Sequence, residues 1–280
     1  MLPERNELEW TSTPTTEVPA LPTWKNNALY RFLRRSKFLR RVKILANSHI
    51  QGVKLRREVE RGFRLVPEKE LEDCYRAAFQ RLREEDPHEP RGDYLEFGVC
   101  HGASMACMHR VIRELRLSGI RLIGFDSFEG LPPEADQPGQ GTWRPGEYRS
   151  SVSFTRNFLT KAGIDWTRTA LVKGWFRDTL TAETRARYGI TRASVIMIDC
   201  DIYSSAREAL EFCESLIRDR AVILFDDWHS GNLAARGMGE KRAFDEFLAD
   251  HPDLTVTPLP SYAKNAEVFL VQQAHLREAA

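Results

Sequence analysis

Aspartates follow three short apolar segments of this sequence, each with the length and composition typical of a buried strand. They are Asp126 after the first segment, Asp199 and Asp201 after the second, and Asp226 and Asp227 after the third. The carboxyl ends of neighbouring parallel strands meet at one edge of a sheet, where a strand spacing of ~4.8 Å puts them roughly 5–10 Å apart. We therefore expect Asp199, Asp226 and Asp227 to converge on one hard cation, and Mg²⁺ prefers such oxygen ligands.

A glycine-spaced turn precedes the first of these aspartates. The segment Tyr94–Ser104, YLEFGVCHGAS, predicts a strand, a tight turn and the start of a helix. Gly98 and Gly102 would let the backbone approach a ligand, and Asp126 at the end of the next strand would hold ribose hydroxyls. The spacing differs from the G-x-G-x-x-G pattern of dinucleotide folds. A ligand without a pyrophosphate needs fewer glycines, and S-adenosylmethionine is such a ligand.

Several of these polar residues also have a structural interpretation. Glu96, inside the first strand, is equally a candidate for a buried, hydrogen-bonded acid. Asp201 could cap the helix that follows it, and the Asp226–Asp227 pair could cap a turn. His101 and His229 lie near predicted strand ends, where a lone histidine is more often a satisfied polar group than a base.

Aromatic side chains lie at the ends of two predicted strands. Trp175 is the last residue of the predicted third strand, Ala170–Trp175, Phe176 follows it, and Trp228 follows the fifth strand. They could wall an adenine or sugar pocket, and core packing explains them equally well.

From Asp93 onward, predicted strands and helices alternate, which indicates a parallel sheet with right-handed crossovers. Two late strands, Leu254–Pro258 and Val268–Val271, lie close together in sequence and predict an antiparallel closing pair. The fold class is therefore α/β, with a mostly parallel seven-stranded sheet and helices on both faces. The segment Pro132–Gly146 is rich in proline and glycine and predicts an insertion over the ligand edge of the sheet.

Positive charge is concentrated before the sheet. Residues 25–64 contain thirteen lysines and arginines against two glutamates, a balance of +11, so the rest of a chain of net charge +1 sums to −10. This asymmetry indicates an interaction surface for nucleic acid, an anionic membrane, an acidic substrate or the acidic body of the chain itself. The predicted organisation is a flexible tail at residues 1–24, a basic helical extension at 25–90 and the sheet-bearing domain at 91–280.

Composition narrows the class of protein. A hydrophobic content of 42% in 280 residues allows a sizeable core. There is no apolar run of 18 residues and no apolar N-terminal segment, so we expect neither a spanning helix nor a secretory signal. The five cysteines form no C-x-x-C pair, which favours reduced thiols in a cytoplasmic protein.

Six motifs in order resemble the macrocin O-methyltransferase family, which includes the mycinamicin and novobiocin sugar O-methyltransferases. The resemblance covers about two thirds of the chain and rests on EFGVCHGAS (Glu96–Ser104), FDSFEGLP (Phe125–Pro132), KGWFRDTL (Lys173–Leu180), IDCDIYSS (Ile198–Ser205), FDDW (Phe225–Trp228) and GEKRAFDEF (Gly239–Phe247). It implies a Rossmann-like class I methyltransferase fold, S-adenosylmethionine as cofactor and Mg²⁺ as the metal.

The resemblance also implies roles for individual residues. The cofactor would be held by Glu96, Gly98, Gly102, Ser104, Asp126, Ser127, Phe128, Gly174, Trp175 and Phe176. The metal ligands would be Asp199, Asp226 and Asp227. Asp201 would be the general base, with His229 as the second candidate. The acceptor would be a hydroxyl of a sugar or glycosylated natural product, although the insertion His229–Met238 and the basic extension depart from the family pattern.

Other functions remain open at this stage. One is a small-molecule methyltransferase without a metal, and another is a non-catalytic protein that binds a membrane surface through residues 25–64. The missing G-x-G-x-x-G pattern disfavours a nicotinamide dehydrogenase. Nucleic acid is a disfavoured acceptor, because the sequence lacks the Asn/Asp-Pro-Pro-aromatic loop common in base N-methylation. A homo-oligomer is compatible with the sequence.

Overall fold

The structure is a computed structural model that describes residues 37–60, 65–86, 88, 90–137, 140 and 143–274. The predicted flexible tail at residues 1–24 and the first part of the basic extension, residues 25–36, lie outside these ranges. The compact body that carries the sheet begins at Ile44.

Seven strands form one sheet in the order β3-β2-β1-β4-β5-β7-β6. The strands are β1 (Asp93–Phe97), β2 (Leu122–Asp126), β3 (Thr169–Lys173), β4 (Ala193–Ile198), β5 (Arg220–Phe225), β6 (Leu254–Leu259) and β7 (Glu267–Gln273). Strands β1 to β5 are parallel, and β7 pairs antiparallel with both β5 and β6. The predicted mostly parallel, seven-stranded sheet with an antiparallel closing pair is confirmed.

The described residues include eight α-helices. They are α1 (Lys37–Glu60), α2 (Glu68–Glu85), α3 (Ala103–Glu114), α4 (Val152–Lys161), α5 (Phe176–Thr179), α6 (Ala182–Tyr188), α7 (Tyr203–Cys213) and α8 (Gly239–Asp250). Side-chain caps begin two of them: Ser151 accepts the Phe154 N–H before α4, and Thr181 accepts the Thr184 N–H before α6. Strand β3 ends at Lys173, whereas the sequence predicts that it continues to Trp175.

Alternating side chains of the strands build a core on each face of the sheet. Tyr94 of β1 packs with α2 and α3, and its hydroxyl is 3.0 Å from that of Tyr75. Leu95 and Phe97 point to the other face and pack with α7 and α8. Because both faces of the central strands are covered, strands β2, β4 and β5 are mostly apolar, which is what made them recognisable in the sequence.

Helix α2 is part of this packing, although the predicted extension at residues 25–90 includes it. Its side chains Leu71, Tyr75, Phe79 and Leu82 have no exposed surface. Helix α2 therefore supplies one wall of the core. The domain division at residue 90 stays a prediction.

Helix α1 carries part of the basic stretch. Within the compact body, Ile50 and Val53 are exposed on it. No helix among the described residues is both long and apolar enough to cross a bilayer. Contact of residues 25–64 with a membrane surface stays a prediction.

Gly98 lets the turn after β1 approach β4 closely. Its φ is +96°, and a Cβ there would lie 1.7 Å from the Asp199 carbonyl oxygen. We predict that Gly98→Ala lowers the free energy of unfolding by roughly 2–6 kcal/mol, the sum of positive-φ strain and backbone displacement. Urea denaturation measures this loss.

Gly119→Ala is the matched control, because nothing lies within 4 Å of the added carbon. It should change stability by less than about 0.5 kcal/mol. Equal stability of the two variants would contradict the close approach of β1 and β4.

Candidate active site

A cavity of about 290 Å³ opens at the carboxyl edge of the sheet. Residues that follow five different strands line it: Gly98 after β1, Asp126 at the end of β2, Trp175 after β3, Asp199 after β4 and Asp226 after β5. This is the edge at which open α/β sheets bind ligands. Leu131, Pro132 and Glu134 also line the cavity, so the proline-rich insertion borders it.

Asp126 is held by backbone donors at its side of the cavity. The N–H of Cys100 donates to one carboxylate oxygen at 2.7 Å, and the N–H of Phe128 donates to the other at 2.5 Å. Burial raises the pKa of Asp126 to about 6, and these hydrogen bonds oppose the rise. Each oxygen retains a lone pair, so the carboxylate can still accept hydroxyl donors from a ligand.

The glycine turn around Asp126 requires unusual backbone angles. Gly98 and Gly174 have φ values of +96° and +147°, and Cys100 and Phe128 have φ values of +49° and +54°. Positive φ values therefore occur at both residues whose N–H groups donate to Asp126, Cys100 and Phe128.

Glu96 lies beneath this turn and is completely buried. It accepts hydrogen bonds from the hydroxyls of Tyr94 and Ser104, at 2.5 and 2.7 Å. Burial raises the pKa of Glu96 to about 7 despite both bonds. The described cavity lining does not include Glu96, Gly102, Ser104, Phe128 or Gly174, whereas it does include Ser127, Trp175 and Phe176. Contact of the first five residues with a cofactor stays a prediction.

Asp199, Asp226 and Asp227 converge as the sequence predicts. One carboxylate oxygen from each lies within 4.8 Å of the others. Burial raises the pKa of all three, and neighbouring carboxylates raise those of Asp199 and Asp226 further. No described arginine or lysine forms an ion pair with them. Three hard oxygen donors that repel one another without a cation fit a divalent metal.

Hydrogen bonds hold two of these aspartates from behind. The Tyr262 hydroxyl donates to Asp226 Oδ1, and the Ser230 hydroxyl donates to Asp227 Oδ1 at 2.6 Å. The backbone N–H of Asp227 donates to Glu240, a completely buried acid, at 3.0 Å. Sequence analysis did not single out these three supporting residues. Only Glu240 lies in a recognised motif, GEKRAFDEF, while Tyr262 lies in an irregular segment that carries no signal.

The two predicted candidates for the general base occupy different surroundings. Asp201 lines the cavity and is buried, with φ +66° and its carbonyl bound by Trp143 Nε1 at 2.9 Å. Burial and the adjacent Asp227 raise the pKa of Asp201 well above its usual value. His229 is 44% exposed, lies 2.9 Å from Glu267 through Nε2, and is not among the described lining residues. The structure does not bring His229 to the cavity.

The three predicted aromatic residues differ in whether they line the cavity. Trp175 and Phe176 line the cavity. Trp228 is buried in the core, where its ring lies against Phe225 and Phe269. For Trp228, core packing is therefore the correct interpretation.

Comparison with known proteins assigns the fold and the family. Two solved structures are similar: the O-methyltransferase NovP, with TM-score 0.58 and 20% identity over 73% of this chain and 79% of that one, and the calicheamicin methyltransferase CalS11, with TM-score 0.56 and 20% identity over 92% and 98%. The predicted Rossmann-like class I methyltransferase fold is confirmed. A sequence profile of the macrocin O-methyltransferases (TylF) matches residues 60–251, and the chain belongs to this family.

A curated relative from Streptomyces olivaceus matches part of the chain. It is 8-demethyl-8-(2,3-dimethoxy-alpha-L-rhamnosyl)-tetracenomycin-C 4'-O-methyltransferase, 27% identical over 143 residues. The match covers 49% of this chain and 53% of the relative, so it spans about half the length of that protein.

The buried Glu96 generates a prediction on pH dependence. Its folded-state pKa is raised to about 7 from 4.5, so the folded protein binds this proton more tightly than the unfolded chain. Stability contributed by the protonated form is therefore lost as pH rises from 4.5 to 7. We predict that Glu96→Gln becomes more stable relative to the parent protein by about 3 kcal/mol between pH 5 and pH 8. Urea denaturation at both pH values measures the change.

Glu246→Gln is the control, since Glu246 lies outside the core and its pKa is lowered, chiefly by the Tyr203 hydroxyl. Its stability relative to the parent should not rise with pH. A pH-independent difference between Glu96→Gln and the parent would contradict the buried, raised-pKa state of Glu96.

Proposed function

We propose that this protein is an S-adenosylmethionine-dependent O-methyltransferase that uses Mg²⁺ and acts on a hydroxyl of a sugar or glycosylated natural product. The observation that carries the proposal is one cavity with two acidic ends. Asp126 ends β2, and Asp199, Asp226 and Asp227 converge after β4 and β5, on the other side of β1 in the strand order. Membership of the macrocin O-methyltransferase family supports the reaction type.

The Asp126 end suits the nucleoside part of the cofactor. Its carboxylate has free lone pairs for the ribose hydroxyls. The lining also includes Ser127, the next residue in the chain, and Trp175 and Phe176, which follow the neighbouring strand β3. The aromatic rings offer apolar surface for adenine. Gly98 lines the same cavity, and without a side chain there the turn after β1 closes over the Asp199 backbone.

The aspartate end suits the acceptor and the metal. Asp199, Asp226 and Asp227 would hold Mg²⁺, which when bound lowers the pKa of a coordinated hydroxyl. Asp201, beside Asp227 in the cavity, would accept the hydroxyl proton on its carboxylate. The remaining lining orients the acceptor oxygen toward the methyl donor, and such alignment supplies much of the rate.

A glycoside acceptor is supported by the relatives. The Streptomyces olivaceus protein is named for methylation of the 4' position of a rhamnosyl compound. A sugar presents vicinal hydroxyls, which provide two oxygens for one cation.

We predict that substitutions at the two ends separate cofactor binding from transfer. Asp227→Ala should abolish methyl transfer and leave the affinity for S-adenosylhomocysteine within about threefold, because the ribose site is intact. Asp126→Asn should weaken that affinity at least about tenfold, since a charge-assisted hydrogen bond contributes roughly 1.5–3 kcal/mol. Calorimetry gives the affinities, and methyl transfer to a panel of glycosides gives the activity.

EDTA is the second arm of this experiment, with Mg²⁺ added back in excess. Transfer should stop in the chelator and return with the metal. Transfer that persists both in EDTA and in Asp227→Ala would remove Mg²⁺ from the proposal and favour a metal-independent methyltransferase. If the parent protein does not bind S-adenosylhomocysteine, the proposal itself is overturned.

We predict that Asp201, and not His229, carries the base function. Asp201→Asn should lower kcat by about 10²–10⁴-fold, the usual contribution of a general base. His229→Gln should leave kcat within about threefold, since His229 lies outside the described cavity lining. Equal losses in the two variants would contradict this assignment, and kcat at saturating cofactor and Mg²⁺ is the measurement.

A further inference from the structure

The connection between β6 and β7 brings a tyrosine to the back of the metal site. Tyr262 lies in this connection, and only 6% of its surface is exposed. Its ring belongs to the core on the α2 side of the sheet, together with Tyr75. Its hydroxyl group donates a hydrogen bond to Asp226 Oδ1. A buried tyrosine hydroxyl normally requires a partner, and here the partner is one of the three converging aspartates.

This bond restricts how Asp226 presents its oxygens. The carboxylate of an aspartate rotates readily about its Cβ–Cγ bond. Such a rotation would direct the Asp226 oxygens away from Asp199 and Asp227. A donor on Oδ1 fixes the plane of the group while Oδ2 stays available. Asp226 therefore keeps one oxygen within 4.8 Å of the other two aspartates.

The tyrosine itself is held in place by the backbone of the same region. The His229 N–H, in the loop after β5, donates to the Asn265 carbonyl in the β6–β7 connection at 2.9 Å. The loop that carries Asp226 and the segment that carries Tyr262 are therefore tied together twice, once by backbone and once by side chain. The tyrosine does not line the cavity among the described residues, so it acts through Asp226.

We infer that Tyr262 is a positioning residue for the metal site, whose hydroxyl fixes the Asp226 carboxylate for a divalent cation shared with Asp199 and Asp227. The inference rests on the proposed use of Mg²⁺ at this site. It extends the site to a residue behind the three ligands, from a part of the chain where the sequence gives no sign of function.

Tyr262→Phe is the direct test, because it removes the hydroxyl and keeps the ring in the core. Titration calorimetry of the full chain with MgCl₂ alone should show a Kd about 10–100-fold weaker than that of the parent, the usual effect of losing an outer partner of a metal ligand. The affinity for S-adenosylhomocysteine should stay unchanged. Activity should return toward the parent kcat as Mg²⁺ is raised, which a general loss of folding would not permit.

Tyr203→Phe is a matched control. Its hydroxyl also donates to a carboxylate, Glu246 at 2.6 Å, but this pair lies outside the cavity lining. Tyr203→Phe should leave the Mg²⁺ affinity within about twofold. Thermal unfolding of both variants verifies that each is folded at the temperature of the titration.

The outcomes separate this inference from the proposed function. A parent protein that binds Mg²⁺ and a Tyr262→Phe variant that binds it equally well would overturn the role of Tyr262 and leave the metal site standing. A parent protein that binds no Mg²⁺ would overturn both. A weakened affinity in Tyr262→Phe with an unchanged control supports the inference.

Discussion

Electrostatic repulsion among partly and fully buried carboxylates is the constraint on which this structure depends. Asp199, Asp226 and Asp227 face one another at the carboxyl edge of the sheet, with Asp201 beside them and Glu240 behind them. Among the described residues, no basic side chain forms an ion pair with any of these acids. Water and salt, which weaken repulsion at a surface, act less at buried positions. The site therefore gains most from a bound cation, which would offset this repulsion.

The sheet enforces this crowding. Strands β4 and β5 are neighbours in register, and the Asp226 N–H donates to the Ile198 carbonyl at 3.1 Å, so the residues that follow both strands cannot separate. Strand β1 lies beside β4, and the turn at Gly98 closes over the Asp199 backbone. The same adjacency that creates the repulsion brings the cofactor end and the metal end within one cavity. Hydrogen-bond donors such as Tyr262 and Ser230 offset part of the cost of burying the charges.

The sequence predicts the sheet and the convergence of the aspartates, but not the surroundings of His229 and Trp228 or the role of Tyr262. The covered central strands are mostly apolar, and an acid after such a run stands out, so the sheet and the convergence of Asp199 with Asp226 could be predicted. The surroundings of His229 and Trp228 could not, because both follow β5 directly and their direction depends on contacts with Glu267 and Phe269 of β7. Tyr262 gave no signal, since its role arises only when the β6–β7 connection folds back beside β5.

The strand order β5-β7-β6 has a consequence for biosynthesis. Strand β7 is the last of the seven in the chain, yet it lies between two strands made earlier. Until β7 leaves the ribosome, β5 presents an unpaired edge of apolar residues, and such edges recruit other chains into aggregates. The nascent protein thus passes through a stage in which most of its core residues are present but its sheet stays open.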